Sequence, residues 1–338
     1  MKTRSFLQFV GPSVLLMLLL LAIPMATTFY LSVRNCTLEM EMVKVEESSP
    51  FGKKEVLTQR ARLDASGRAI QTCRFVGLDY YRKVLGLAAT EAPAGGPPPD
   101  AAAAPGAPRV DNEFLAALRF TMLYTFVTLP FVLGIGLLLA LAVNGATRRL
   151  RSVFISASLL PFIITPVVAA LSIKWLFRDN GLVPHVLSHV GVNVFWMAQA
   201  WSAQLLIIVY GVWHVVPFAF IVFYAGLQSV PQDALEAATI DGASRWQRLR
   251  YVTLPHLMPL VVFVTLIHLM DAYRVFEPVL VLTQGAFTTS VQYLTYYILL
   301  QENNPYKASA AAVLTLLGIL VLLIPLLVRT WREQKGGV

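Results

Sequence analysis

Four ionisable side chains recur at every third position of one apolar run: His268, Asp271, Arg274 and Glu277. Ionisable groups at lipid depth are costly, and they mark either a functional site or an internal pair. The i, i+3 spacing sets neighbours on one slowly drifting helical face, where Arg274 can pair with Asp271 or Glu277 inside a bundle. A second apolar run carries Trp213, His214 and Phe218. Imidazole and carboxylate hydrogen-bond hydroxyls, and aromatic rings cover the apolar face of a sugar, so the chemistry on offer is recognition of a neutral polyol. For both histidines the competing reading is packing or bonding between helices. No phosphate-binding Gly-Lys-Ser/Thr loop, no Gly-x-Ser-x-Gly and no Cys/His cluster with metal spacing accompanies them. Catalysis by this chain and a bound metal are therefore not expected.

The elements that must position these groups are membrane spans. Of 338 residues, 57% are hydrophobic and 14% charged, against about 25% charged in soluble domains. Six apolar blocks reach the roughly 20 residues that a helix needs to cross a bilayer: about 9–33, 114–143, 153–177, 200–227, 257–283 and 308–329. The first is too long, and too poor in a following small-residue cleavage site, to read as a signal peptide. Lys2 and Arg4, then Arg148, Arg149 and Arg151, then Arg245, Arg248 and Arg250, and finally Arg329, Arg332 and Lys335 lie in alternate short loops or ends. Basic loops stay in the cytoplasm, which places both termini there. The net charge of +8 is a topology signal, and its dispersal speaks against nucleic-acid binding.

Residues 34–113 form the sizeable outer piece, with 11 basic and 11 acidic residues. Apolar side chains alternate around Leu38, Met40 and Met42. Residues 56–63 and 68–72 flank Asp64-Ala-Ser-Gly67, the expected turn of a hairpin. The two cysteines of the chain, Cys36 and Cys73, bracket this region. Outside the cytoplasm a bridge between them is permitted and would contribute about 3–4 kcal/mol by constraining the unfolded chain; two free thiols are the alternative. Residues 90–108, rich in Ala, Pro and Gly, read as a linker without chemistry.

Between the fourth and fifth blocks, residues 228–256 form a polar island. Pro231 fits the first turn of a short helix, with Asp233 and Glu236 near its positively polarised start. Ala234, Ala237 and Ala238 keep its surface small, and Gly242 is a natural helix-end residue. A second amphipathic stretch runs from Ala243 to Val252, and Leu254-Pro255 is expected to break it before span five. Here the chain resembles the inner-membrane permeases of binding-protein-dependent ABC importers. Their signature is Glu-Ala-Ala, a Gly after three more residues, then an aliphatic and Leu-Pro. Glu236-Ala237-Ala238, Gly242, Val252 and Leu254-Pro255 match it, with Val252 where Ile is usual. Phe75–Arg82, Pro161, Pro166, Lys174–Phe177, Val212-Trp213, Pro217-Phe218, Ala225–Ser229 and Arg274–Glu277 resemble carbohydrate-type members, so most of 75–330 is covered. The family's Gly-Gly-Pro after span five is absent, and Thr283-Gln-Gly-Ala-Phe287 stands there instead.

The resemblance implies an all-α integral membrane protein of six spans with a small β-containing outer loop, the type I importer permease fold. The apolar runs and loop composition divide the chain into residues 1–33, an outer loop 34–113, a five-span core 114–330 with the cytoplasmic coupling loop 228–256, and a tail 331–338. The resemblance implies a coupling helix at Glu236, Ala237, Ala238, Asp241 and Gly242 that seats in an ATPase subunit. By likeness to maltose-type permeases, the substrate path falls on His268, Asp271, Ala272 and Val275, with i, i+3, i+4, i+7 spacing, and on His214 and Phe218. Arg274 and Glu277 fall where the family commonly holds a structural ion pair. Implied partners are a second homologous permease, a dimer of ATPase subunits carrying ATP and Mg, an external substrate-binding protein and the lipid of a bacterial inner membrane. The chain itself would bind no cofactor. The rival reading is an ion-coupled secondary transporter of a small polar solute, which leaves the polar island unexplained.

Overall fold

The computed structural model describes residues 3–49, 52–62, 70–87, 113–191 and 193–335. It divides into two compact units, 1–90 with 298–314, and 91–297 with 315–338.

In the first unit, helix α1 (Thr3–Ser32) exposes Leu15, Leu16 and the run Leu18 to Leu21, as a helix surrounded by lipid would. Strand β1 (Arg34–Leu38) pairs antiparallel with β4 (Gln71–Phe75), and Cys36 lies directly opposite Cys73. The two are joined by a disulfide. Strand β2 (Met40–Ser49) pairs with β3 (Gly52–Ala61), setting Val43 against Thr58 and Val45 against Val56. The expected hairpin is corrected in part: Ile70 N–H donates to Arg62 O at 2.8 Å, but the strands on either side pair elsewhere. Residues 56–61 pair upstream with β2, residues 71–72 pair with β1, and Asp64–Gly67 lies outside the described residues. The pairing is stitched at its centre, where Glu39 N–H donates to Ile70 O at 3.0 Å and Arg62 N–H donates to Glu39 O at 2.8 Å. Helix α2 (Asp79–Val84) buries Tyr80 and Val84. Tyr80 stacks on Tyr306 at 6.2 Å, and the Tyr306 hydroxyl donates to Cys36 O at 2.8 Å.

The second unit is built on helix α3 (Glu113–Asn144) packed against α7 (Ala200–Gln228). Small residues let their backbones approach, the usual device between membrane helices. A Cβ on Gly136 would stand 2.7 Å from that of Ala219, and one on Gly211 would collide with the Tyr124 hydroxyl. Around these contacts Phe220, Phe223, Val132 and Leu257 are fully buried.

The third span is broken. Helix α4 (Arg148–Ile163) and helix α5 (Pro166–Phe177), with α6 (Leu182–Ser188) beyond, bend by 94° at the break. Pro166 has no N–H and pushes the residue before it out of the helical region; Ile164 and Thr165 are accordingly extended, with ψ of 133° and 141°. Five helices are long and apolar enough to cross a membrane, or six with the bent pair counted as one span.

The fifth span differs more from expectation. Leu254-Pro255 does not break the helix. Helix α9 (Arg245–Arg248), a π-turn (Leu249–Thr253) and helix α10 (Leu254–Tyr273) form one continuous 29-residue helix. In the π-turn Leu254 N–H reaches back five residues to Leu249 O, and the wider ring takes up the clash that a proline brings to an α-helix interior. Nor does the helix run to 283. It ends at Tyr273, and a second π-turn (Val279–Thr283) follows. Helices α11 (Val291–Leu300) and α12 (Pro305–Lys335) complete the chain.

Candidate functional site

The polar island folds into an exposed knuckle. Helix α8 (Gln232–Ile240) has no buried residue, and Pro231 is its N-cap, one position earlier than the first helical turn. Asp233, Glu236, Ala237 and Ile240 recur at i, i+3, i+4, i+7, so they share one exposed stripe. Ala238 is half-buried behind it. At the C-terminus Asp241 is the C-cap and Gly242 has φ of +77°. Ala243 N–H donates to Ala238 O at 2.9 Å and Gly242 N–H to Thr239 O at 3.1 Å. This is the Schellman pairing, and it requires the left-handed residue that glycine supplies without strain.

Two further ties hold the knuckle. Ser244 and Gln247 form a reciprocal capping box on α9, and Arg248 donates to the Thr239 hydroxyl at 2.8 Å, clasping α9 to α8. The capping box is written in the sequence as Ser-x-x-Gln but is not among the sequence-based expectations above; the clasp carries no local signal. Ile240, Trp246 and Tyr251 are 86%, 66% and 69% exposed.

Within the spans the expected substrate stripe separates. His268, Ala272 and Val275 are buried, and Asp271 is exposed. At about 100° per residue, Asp271 lies some 60° round the helix from His268. His268 Nε2 lies 2.9 Å from the Thr128 hydroxyl, which itself donates to Tyr124 O at 2.8 Å; the imidazole therefore bonds α10 to α3. The expected ion pair is also absent. Among the described residues no contact within 4.0 Å joins Arg274 to Glu277 or Asp271. Arg274 is the C-cap of α10, with φ −98° and ψ 20°, so helical i, i+3 spacing stops before Glu277.

His214 and Phe218 do come together with other rings. His214 stacks on Tyr210 at 5.7 Å and lies 6.3 Å from Phe162, which stacks on Phe218 at 6.0 Å; Phe218 in turn lies 6.4 Å from Phe263. The Tyr210 hydroxyl donates to Pro166 O at 2.8 Å, tying the row to the break in span three. Phe162 and Phe263 were not foreseen, because nothing local relates them to α7.

The loop after span five, where Gly-Gly-Pro is missing, is firmly held. Gln284 and Phe287 have φ of 52° and 60°. The Thr283 and Thr288 hydroxyls share a 2.6 Å bond, Tyr293 donates to Gln284 O at 2.6 Å, and Gln204 Nε2 donates to Phe287 O at 3.1 Å. Lys174 Nζ donates to Val281 O at 2.7 Å, satisfying a carbonyl of the π-turn from α5.

Residues 107–335 match the family described as "Binding-protein-dependent transport system inner membrane component". The chain belongs to this family. Among its similar curated members, this permease is 32% identical over 235 residues to the arabinooligosaccharides transport system permease protein AraP of Halalkalibacterium halodurans, covering 67% of this chain and 74% of that one. It is 34% identical over 211 residues to the trehalose transport system permease protein SugA of Mycobacterium tuberculosis, covering 61% and 66%. In structure it resembles a chain of a bacterial ABC transporter that imports the acidic polysaccharide alginate, with TM-score 0.61, 26% identity and coverage of 65% and 79%. The type I importer permease fold is thus that of the present chain.

Proposed function

We propose that this permease carries a carbohydrate through the inner membrane, working with a second permease, two ATPase subunits that hold ATP and Mg, and an external binding protein. Both termini lie in the cytoplasm on this reading. The relatives' names support the substrate class, and a related alginate transporter was solved with its periplasmic protein bound. The observation that carries the mechanism is the exposed knuckle whose second helix, from Arg245, runs without a break into span five. When the ATPase subunits close on nucleotide, they move the Glu236–Gly242 helix. The clasp between Arg248 and Thr239 makes α9 follow, and α10 turns with it inside the membrane. The aromatic row from Tyr210 through His214 and Phe218 to Phe263 offers ring faces to a sugar, and exposed Asp271 offers a hydroxyl acceptor.

Gly242 tests the lever. A valine there must adopt a left-handed conformation that costs about 1–2 kcal/mol, although no neighbouring atom obstructs its Cβ. In vesicles holding the whole importer, Gly242→Val is expected to insert normally and to leave ATP hydrolysis running while uptake falls at least tenfold. Glu236→Gln should act in the same direction. Wild-type uptake by Gly242→Val, or uptake that follows an ion gradient and ignores ATP, removes the lever reading.

A further inference from the structure

One cavity of the permease has no part in the proposed transport scheme. It encloses about 420 Å³ between α3, α7 and the loop after span five, and it is lined by Arg119, Phe120, Leu123, Gln204, Phe287 and Thr289. Arg119 is the seventh residue of α3, within two turns of Glu113 and ahead of its long apolar run. It is exposed, and among the described residues it makes no ion pair or hydrogen bond. An unpaired guanidinium favours an anionic partner, and its planar fork matches a carboxylate with two parallel hydrogen bonds.

The rest of the lining has the chemistry of a sugar site. Gln204 spends its amide N–H on Phe287 O, which leaves its side-chain oxygen to accept from a hydroxyl. The Thr289 hydroxyl donates to Gly285 O at 2.8 Å, which leaves lone pairs for the same use. Phe120 and Phe287 supply two aromatic rings. Phe287 is held at positive φ by the bonded loop around it, a strain that structures retain at functional sites. The volume lies in the range of small-molecule sites.

From this we infer that the cavity is an outer subsite for an acidic saccharide, with Arg119 binding the carboxylate of a uronic acid residue while Gln204 and Thr289 accept its hydroxyls. This rests on the saccharide-permease reading and narrows it to charged substrates. The test titrates the purified full chain with trigalacturonate, maltotriose and glucose 6-phosphate. Trigalacturonate should bind the wild type and weaken at least tenfold in Arg119→Gln and in high salt. Arg119→Lys, which keeps the charge without the fork, should recover only part, and maltotriose should not distinguish the variants. If Arg119→Gln fails to fold, Leu123→Glu serves in its place: a carboxylate four residues on pairs with Arg119 internally and should cause the same loss. Undiminished trigalacturonate binding in these variants overturns the inference. So does tighter binding of glucose 6-phosphate, or native mass spectra in which Arg119→Gln loses an anionic phospholipid and no saccharide. ATP-driven uptake of maltotriose that persists in Arg119→Gln would leave the importer reading intact in each of those cases.

Discussion

Thr128 and His268 meet at 2.9 Å between two spans, both side chains buried. Hydrogen bonds between membrane helices average about 0.6 kcal/mol and reach about 1.7, and removing a buried ring adds the loss of its packing. Replacing His268 by Ala should therefore lower the thermal unfolding temperature in detergent and leave the KM for transport unchanged. A raised KM at unchanged stability would instead put the imidazole on the substrate. The faces of α10 explain why His268 and Asp271 read alike in sequence and differ in place. Spacing of three residues brings side chains near one another but leaves them about 60° apart, and which side faces the bundle depends on where α3 lies. Gly242 was legible for the opposite reason. Its requirement is local, a left-handed residue closing a short helix, and needs no knowledge of the neighbours. Cys36 and Cys73 sit between these cases, as a count of two in the chain allows one intramolecular bridge without fixing the strands that carry it.

The helix from Arg245 to Tyr273 turns on how a proline is accommodated. Leu254-Pro255 reads as a stop because proline lacks a donor and crowds the preceding turn. The π-turn absorbs both effects, and no local residue pattern announces it. If the helix is already continuous, Pro255→Ala joins nothing new. It should leave helix content by circular dichroism unchanged and uptake within about twofold of wild type, with stability equal or slightly higher given the better helix propensity of alanine. A large gain in helix content would mean that the two segments are normally separate. The break in span three was legible as to residues, since Pro161 and Pro166 stand out, but its 94° bend was not. A proline fixes where a helix yields, while the direction of the bend follows from packing such as the Tyr210 to Pro166 bond.

At the scale of the whole chain, apolar run length and the placement of Arg and Lys carry most of the information. Five spans, or six with the bent pair, agree with the six blocks read from composition, because lipid imposes one length on every crossing helix. The strand pairing of 34–75 was less legible, since a two-stranded ribbon has no buried face to impose its register. The basic residues at the chain ends predict that a fluorescent protein fused after Val338 folds and fluoresces in the cytoplasm, whereas a reporter active only outside, fused at the same point, stays dark. The reverse pattern would invert the topology and move the knuckle away from any ATPase. The π-turn at Leu249–Thr253 has one more consequence, which concerns descent. A π-turn holds one residue beyond the α-helical register, and each residue of a helix advances it by about 100°. Gain of a single codon that the turn does not take up would swing Trp246 and the knuckle by just over a quarter of a revolution relative to span five, whereas loss of the residue already held there would close the turn to α and leave their facing unchanged. On the proposed reading of the knuckle as a docking surface, one such insertion re-aims it without changing the residues it presents.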